Sequence, residues 1–209
     1  MSQSTEIEFK TMLNASDFKR IMTYYHVTSA DIVEQTNCYF DTVDAKLKKA
    51  HTGLRIRLLP EYAEVTLKTP QKEGLLETTE RLTPAEAKKY LTLQQIPKNG
   101  PVEKKLATLN IAITDLHMIS QLTTKRAEFS IAAGLLALDE SFYGSTGHDF
   151  ELELEVKDAK TGKAAFAQLL KELAVSYVPA ENKISRSLKK NAKLKTVYFH
   201  FFYVSAKLK

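Results

Sequence analysis

The sequence predicts an α+β protein: a closed eight-stranded antiparallel β-barrel with helices packed outside. Nearly every predicted strand alternates charged and apolar residues, so each has one charged face and one apolar face. Short turns join consecutive strands, as in antiparallel meanders. When such a sheet closes, its charged faces line the lumen, which must then hold water, ions or a charged ligand. The helices are expected to cover the apolar faces.

The first predicted strand is T-E-I-E-F-K-T, residues 5 to 11. Glu6, Glu8 and Lys10 share one face of it, and Ile7 and Phe9 share the other. Taken alone, this pattern is more typical of a surface strand with a solvated outer face. The charged strands in the rest of the chain favour the barrel.

Helical spacing, strand-like alternation and turn residues define the later elements. Cap-type residues precede a helix at 16 to 26, and Thr83 before Pro84, with Glu86 three residues after the threonine, is typical of a capped helix start. Helices are predicted over 16–26, 84–95, 101–109, 162–175 and 182–190, with a lysine-rich helical turn at 44–50. The remaining strands are predicted over 32–42, 54–59, 63–69, 75–82, 117–131, 134–143 and 149–156.

The composition limits the classes of protein. The chain of 209 residues suffices for one well-buried domain, although two small domains are also allowed. Residues 189 to 209 hold six lysines and no acid, so the net charge of +5 belongs to this end and does not indicate a specific nucleic-acid partner. Cys38 is the single cysteine, and the first residues lack a signal-peptide pattern, so a cytoplasmic location is predicted.

The predicted lumen combines many basic and acidic side chains. Ion pairing among them would account for the pattern, but burying a dozen ions for structure alone is costly. A polyanion with its metal ions explains the set better, because arginine and lysine bind phosphate oxygens while carboxylates hold Mg²⁺ or Mn²⁺. The bases are Lys10, Arg55, Arg57, Lys68 and Arg126, and the acids are Glu6, Glu8, Glu77, Asp139, Glu151, Glu153 and Glu155.

An ordered set of motifs resembles the CYTH domains, also called triphosphate tunnel metalloenzymes. E-x-E-x-K at Glu6, Glu8 and Lys10 is weak alone, but it is followed by L-R-I-R-L-L, V-T-L-K, L-L-E-T, T-K-R, L-A-L-D-E, E-L-E-L-E-V and N-K-I-S-R. The resemblance covers roughly residues 4 to 190. The stretches G-L-L-A-L-D-E-S-F-Y and N-K-I-S-R look most like an uncharacterised Firmicute branch.

The resemblance implies a role for most of the charged residues. It implies that one or two divalent ions, Mg²⁺ or Mn²⁺, are held by Glu6, Glu8, Glu153 and Glu155. It implies that the triphosphate is bound by Lys10, Arg55, Arg57, Lys68, Arg126, Lys183 and Arg186. For Lys183 and Arg186, whose spacing is also ordinary for a surface helix, a solvated basic face is the alternative. The catalytic candidates are Glu6, Glu8 and Lys10 with the tunnel carboxylates Glu77 and Asp139, and the role of Glu151 stays open.

The expected activity is metal-dependent hydrolysis of inorganic triphosphate, a nucleoside triphosphate or thiamine triphosphate. Two alternatives stay open: an adenylate cyclase that makes cyclic AMP from ATP, and a non-catalytic binder of polyphosphate or nucleotides. Residues 1–190 are the predicted domain, with a homodimer expected only by analogy. Residues 191–209 form a basic and aromatic tail, for which a membrane-surface contact, an added strand, a partner contact or no role are all open.

Overall fold

The computed structural model of this chain describes residues 2–144 and 147–190. The tail predicted over 191–209 lies outside these described residues, so its proposed roles stay predictions. Among the described helices, none is both long and apolar enough to cross a membrane.

Eight antiparallel strands form a closed barrel in the order β1-β5-β4-β3-β2-β6-β7-β8, which confirms the predicted architecture. The strand β1 closes the barrel, because Ser2 to Glu6 pair with β5 whereas Ile7 to Leu13 pair with β8. The strands are β1 (Ser2–Leu13), β2 (Ile32–Thr42), β3 (Gly53–Leu58), β4 (Ala63–Pro70), β5 (Leu75–Leu82), β6 (Leu116–Ile131), β7 (Gly134–Phe142) and β8 (His148–Val156).

The helices lie close to their predicted positions, and side-chain caps fix several of their starts. Thr83 and Glu86 form a capping box at the start of α3. Asp158 accepts a hydrogen bond from the Thr161 backbone N–H, which starts α5 at Ala159 rather than at the predicted residue 162. The helices are α1 (Ala15–Tyr24), α2 (Lys46–Lys49), α3 (Pro84–Leu93), α4 (Pro101–Ala107), α5 (Ala159–Glu172) and α6 (183–190).

Two apolar cores lie between the outer face of the barrel and these helices. In the first core, Ile56 and Leu67 of β3 and β4 pack with Leu106 of α4. In the second core, Leu138 and Leu152 of β7 and β8 pack with helices α1 and α5. The apolar strand faces are therefore covered by helices, as predicted, and the charged faces are left to the lumen.

A third apolar cluster closes one end of the lumen. Tyr39, Leu122 and Tyr143 pack there with Ile184, which belongs to α6. The Ser187 hydroxyl of the same helix contacts the Ser120 hydroxyl of β6. The helix α6 therefore enters the barrel, whereas the other helices cover its outside as predicted.

Candidate active site

Strand alternation places the predicted charged residues on the lumen side. On β3, Arg55 and Arg57 lie opposite Leu54 and Ile56, which belong to the first apolar core. The same alternation applies to Lys68 on β4, Arg126 on β6 and Asp139 on β7. Across β1 and β8, Glu8 pairs with Glu155, Lys10 with Glu153, and Met12 with Glu151.

One group of carboxylates gathers around Lys68. The Lys68 ammonium lies 2.5 Å from Glu6 Oε2 and 2.7 Å from Glu77 Oε1. Burial alone would raise the pKa of Glu77, but Lys68 and the more distant arginines bring it below its ordinary value. The pKa of Glu155 is raised by partial burial and by the nearby Glu6 and Glu77. Negative charge is therefore concentrated at this part of the lumen.

Arginines with too few anionic partners lie beside this group. Arg57 Nε donates to Asn37 Oδ1 at 2.9 Å, and the carboxylate of Glu64 lies 3.7 Å from Arg57 Nη1. Burial, together with the positive charges of Arg55 and Arg126, lowers the pKa of Arg57 to about 9. Arg55 Nε is buried and has no hydrogen-bond partner among the described residues. This cluster has the electrostatic character of an anion-binding site.

Deeper in the lumen, three acids surround Arg126 and Lys183. Arg126 binds Asp139 through two nitrogens at 2.7 and 2.6 Å and also contacts Glu153. The Lys183 ammonium lies 2.8 Å from Asp139, 2.5 Å from Glu153 and 3.4 Å from Glu151. Lys183 thus sits inside the barrel with a side chain 13% exposed, not on a solvated helix face.

The surroundings of these three acids shift their pKa values in different directions. Burial would raise the pKa of Asp139 and of Glu153, but Arg126 and Lys183 hold both values below their ordinary range. Burial and the neighbouring Glu153 raise the pKa of Glu151 to about 7. Lys183 and Arg186 therefore offset only part of the effect of burial on Glu151.

Arg186 lies behind Glu151 in a separate set of contacts. Its Nη2 donates to Glu151, its Nε donates to the Tyr143 hydroxyl at 3.0 Å, and its Nη1 donates to the backbone oxygen of Glu181 at 2.6 Å. Tyr143 donates in turn to Asp149 Oδ1 at 3.0 Å. The sequence analysis missed Tyr143 and Asp149. Both continue the alternation that identified Asp139 and Glu151: Asp149 is one step before Glu151, and Tyr143 is two steps after Asp139, past Ser141.

The predicted metal ligands divide into two groups. Glu6, Glu8 and Glu155 lie near one another, whereas Glu153 is engaged by Arg126 and Lys183. Among residues 2–144 and 147–190, no three acidic, histidine or cysteine side chains already converge as a metal-binding cluster. Burial and the negative charges of Glu6 and Glu77, which raise the pKa of Glu155, nevertheless suit a hard divalent cation, because such cations bind carboxylate oxygens.

Comparisons with known proteins identify the family. The CYTH domain model matches residues 4–188. The chain is 38% identical to "Putative triphosphatase YjbK" of Bacillus subtilis (strain 168) over 186 residues, which is 89% of this chain and 95% of that protein. This similarity confirms the predicted Firmicute branch.

Solved structures agree with this family. A Bacillus halodurans crystal structure described as "a putative adenylate cyclase" is 40% identical, covers 89% of this chain and 98% of its own, and has a TM-score of 0.84. HpAC1 from Hippeastrum, 20% identical with a TM-score of 0.68 over 87% of this chain and 94% of its own, shares the fold. The chain belongs to the CYTH domain family.

Proposed function

We propose that this protein is a divalent-metal-dependent triphosphatase that binds the triphosphate in the barrel lumen and hydrolyses its terminal anhydride bond. The observation that carries the proposal is the cluster of Arg55, Arg57 and Arg126. Burial and the positive charges of Arg55 and Arg126 lower the pKa of Arg57, and Arg55 Nε is buried without a hydrogen-bond partner among the described residues, so this cluster suits an anion. A triphosphate supplies several negative charges along a narrow chain. The name of the Bacillus subtilis relative supports the same activity.

The bases bind and orient the phosphates in this proposal. The guanidinium groups of Arg55 and Arg57 donate to phosphate oxygens, because planar guanidinium groups match phosphate geometry. Lys68 exchanges Glu6 and Glu77 for a phosphate oxygen, which leaves these two carboxylates available. Lys10, which lies 2.8 Å from Glu8, joins the same phosphate-binding surface.

The acids have different roles according to their surroundings. Glu6, Glu8 and Glu155 would hold a hard divalent ion, Mg²⁺ or Mn²⁺, and Glu153 would position Arg126 and Lys183. The bound ion would neutralise phosphate charge and polarise a phosphoryl oxygen.

Proton transfer falls to the carboxylates beside the arginines. Glu77 is the candidate base for the attacking water, because it shares Lys68 with Glu6 and so lies beside the proposed metal ligands. Asp139 is bound through two nitrogens by Arg126, so its role is to orient that guanidinium.

The first test is phosphate release from inorganic triphosphate, ATP and thiamine triphosphate, with magnesium, manganese or chelator. A Glu6→Gln, Glu8→Gln double variant is expected to lose the metal-dependent rate by roughly 100-fold or more. Glu34→Gln, an exposed acid on β2, is the matched control and should retain it. Full activity in the double variant would show that the metal assignment is wrong.

Adenylate cyclase is the second candidate, because the 40% identical Bacillus halodurans relative is described as one. The same incubation with ATP separates the two activities, since chromatography detects cyclic AMP. Triphosphate binding without phosphate release or cyclic AMP would favour the non-catalytic binder.

We also propose a cytoplasmic location, supported by the single, buried Cys38. The homodimer, the absence of a specific nucleic-acid partner and a membrane contact through residues 191–209 stay predictions. Light scattering, nucleic-acid titration and vesicle sedimentation test them in turn.

A further inference from the structure

The contacts of Arg186 differ from those of the bases assigned to the triphosphate. Its guanidinium contacts Glu151, Tyr143 and the Glu181 backbone, and its side chain is only 9% exposed. Asp149 lies 3.4 Å from Arg186 Nε. All three guanidinium nitrogens therefore have protein partners within the described residues.

The position of Arg186 in the network separates it from the arginine cluster. Lys183 shares Asp139 and Glu153 with Arg126. Arg186 instead pairs with Glu151 and Asp149, and among the described residues it shares no acid with Arg126. Lys183 thus shares acids with the anion-binding cluster directly, whereas Arg186 is connected to that cluster only through Glu151 and Lys183.

We infer that Arg186 is a positioning residue that anchors α6 to Glu151, Tyr143 and Asp149, so that Lys183 reaches the triphosphate site. This revises the prediction that Arg186 binds the triphosphate, and it gives the third acid of β8, Glu151, a role as the anchor point. The part that concerns Lys183 rests on the proposed function. The anchoring of α6 does not.

Three other contacts hold α6 and the segment before it. The backbone N–H of Val178 donates to Thr11 Oγ1 at 2.8 Å, and the Val178 oxygen accepts from the Met12 N–H at 3.0 Å. Ser187 contacts Ser120 inside the barrel. These contacts fix the path of the chain into the lumen, and Arg186 adds a charged contact to those made by Lys183 and Lys190 of the same helix. Loss of Arg186 should therefore loosen α6 without unfolding the barrel.

Hydrogen exchange of the ligand-free protein tests the anchor. Arg186→Met and Glu151→Met should each speed amide exchange in α6 by roughly tenfold or more, because each removes a charge-assisted hydrogen bond. Glu151→Gln keeps an oxygen that can accept from Arg186, so it should retain the protection. Lys189→Met is the matched control on the same helix, since that side chain is 66% exposed.

Calorimetry with inorganic triphosphate separates positioning from direct binding. Positioning predicts that Arg186→Met and Glu151→Met both weaken binding, by roughly tenfold, because both release Lys183. If Arg186 bound the triphosphate directly, the two substitutions would change the affinity in opposite directions. Arg186→Met would weaken binding, whereas Glu151→Met would strengthen it, because it takes a negative charge away from an anion site. Positioning also predicts that Arg186→Met has no further effect on affinity once Lys183→Met is present.

Steady-state kinetics adds a readout that simple instability would not give. The loss of activity in Arg186→Met should be distributed between KM and kcat in the same proportion as the loss in Lys183→Met. Unchanged α6 exchange in Arg186→Met, or tighter triphosphate binding by Glu151→Met, would overturn the inference. If a methionine variant fails to fold, Tyr143→Phe removes only the hydroxyl that accepts from Arg186 and should still speed exchange in α6. If the exchange and binding results are as expected but no phosphate is released, the proposed hydrolase activity is wrong and the anchoring role of Arg186 is still supported.

Discussion

Replacing Arg57 with methionine should stabilise the ligand-free protein. Burial beside Arg55 and Arg126 lowers the pKa of Arg57 from 12.5 to about 9. Each factor of ten in proton affinity is worth about 1.4 kcal/mol, so the charged form carries roughly 5 kcal/mol of unfavourable free energy. Methionine removes this cost but leaves Asn37 Oδ1 without its donor, at about 1 to 3 kcal/mol. The expected net gain in unfolding free energy is roughly 2 to 4 kcal/mol.

The sign of the pH dependence follows from the lowered pKa. Because the folded-state pKa lies below the unfolded-state value, the penalty is complete below about pH 9 and declines as the pH rises further. Urea unfolding at pH 7 in the presence of chelator therefore measures the whole effect. The same variant should bind inorganic triphosphate roughly 10- to 100-fold more weakly, because it loses a charge-assisted phosphate contact.

Arg20→Met is the matched control for this experiment. Arg20 lies on α1 outside the barrel, pairs with Asp17 at 2.7 Å and has a side chain 45% exposed. Its replacement should change the unfolding free energy by no more than about 0.5 to 1 kcal/mol and leave triphosphate binding unchanged. A less stable Arg57→Met protein, or one that binds triphosphate normally, would show that this cluster is not an anion-binding site.

Three further predictions concern the acids and the strand that carries them. Glu155→Gln should weaken Mn²⁺ binding by about tenfold or more in calorimetry, and wild-type affinity should fall as the pH drops through the raised pKa of Glu155. In urea unfolding, Glu151→Gln should stabilise the protein by up to about 3 kcal/mol at pH 8 but not at pH 4. The folded-state pKa of about 7 lies above the ordinary 4.5, so the cost of ionising the buried carboxyl appears only as the pH rises. Gly74→Ala should lower the unfolding free energy by roughly 1 to 3 kcal/mol and therefore the thermal midpoint by several degrees. The reason is that the φ of Gly74 is +71° and a Cβ there would lie 2.1 Å from the backbone oxygen of Glu6. Unchanged Mn²⁺ affinity, a gain that persists at pH 4, or an unaltered midpoint would contradict them in turn.

The barrel was predictable because strand alternation is a local property of the sequence. The β2 prediction over 32–42 matches Ile32–Thr42, and the charged face of each strand follows from the period of two. The division of β1 between two neighbours was not predictable, since the tilt of strands in a closed barrel depends on all eight of them.

The site was predictable as a list of charges but not as a set of pairs. The sequence indicates that Arg57 and Lys183 are basic, yet only the register and the path of α6 decide which acids they meet. The helical spacing of 182–190 indicates a helix and carries no information on whether it covers the barrel or enters it. Tyr143 was missed because aromatic residues at the end of a strand are usually part of an apolar core.

The closure of the barrel by β1 has a consequence for the order in which the protein acquires its active site. Glu8 and Glu155 are adjacent across β1 and β8 but distant along the chain. During synthesis, β1 remains without its β8 partner until the intervening strands have left the ribosome. The carboxylates proposed to bind the metal can therefore meet only at a late stage of folding, so a partly folded chain can hold structured hairpins before it has any capacity for catalysis.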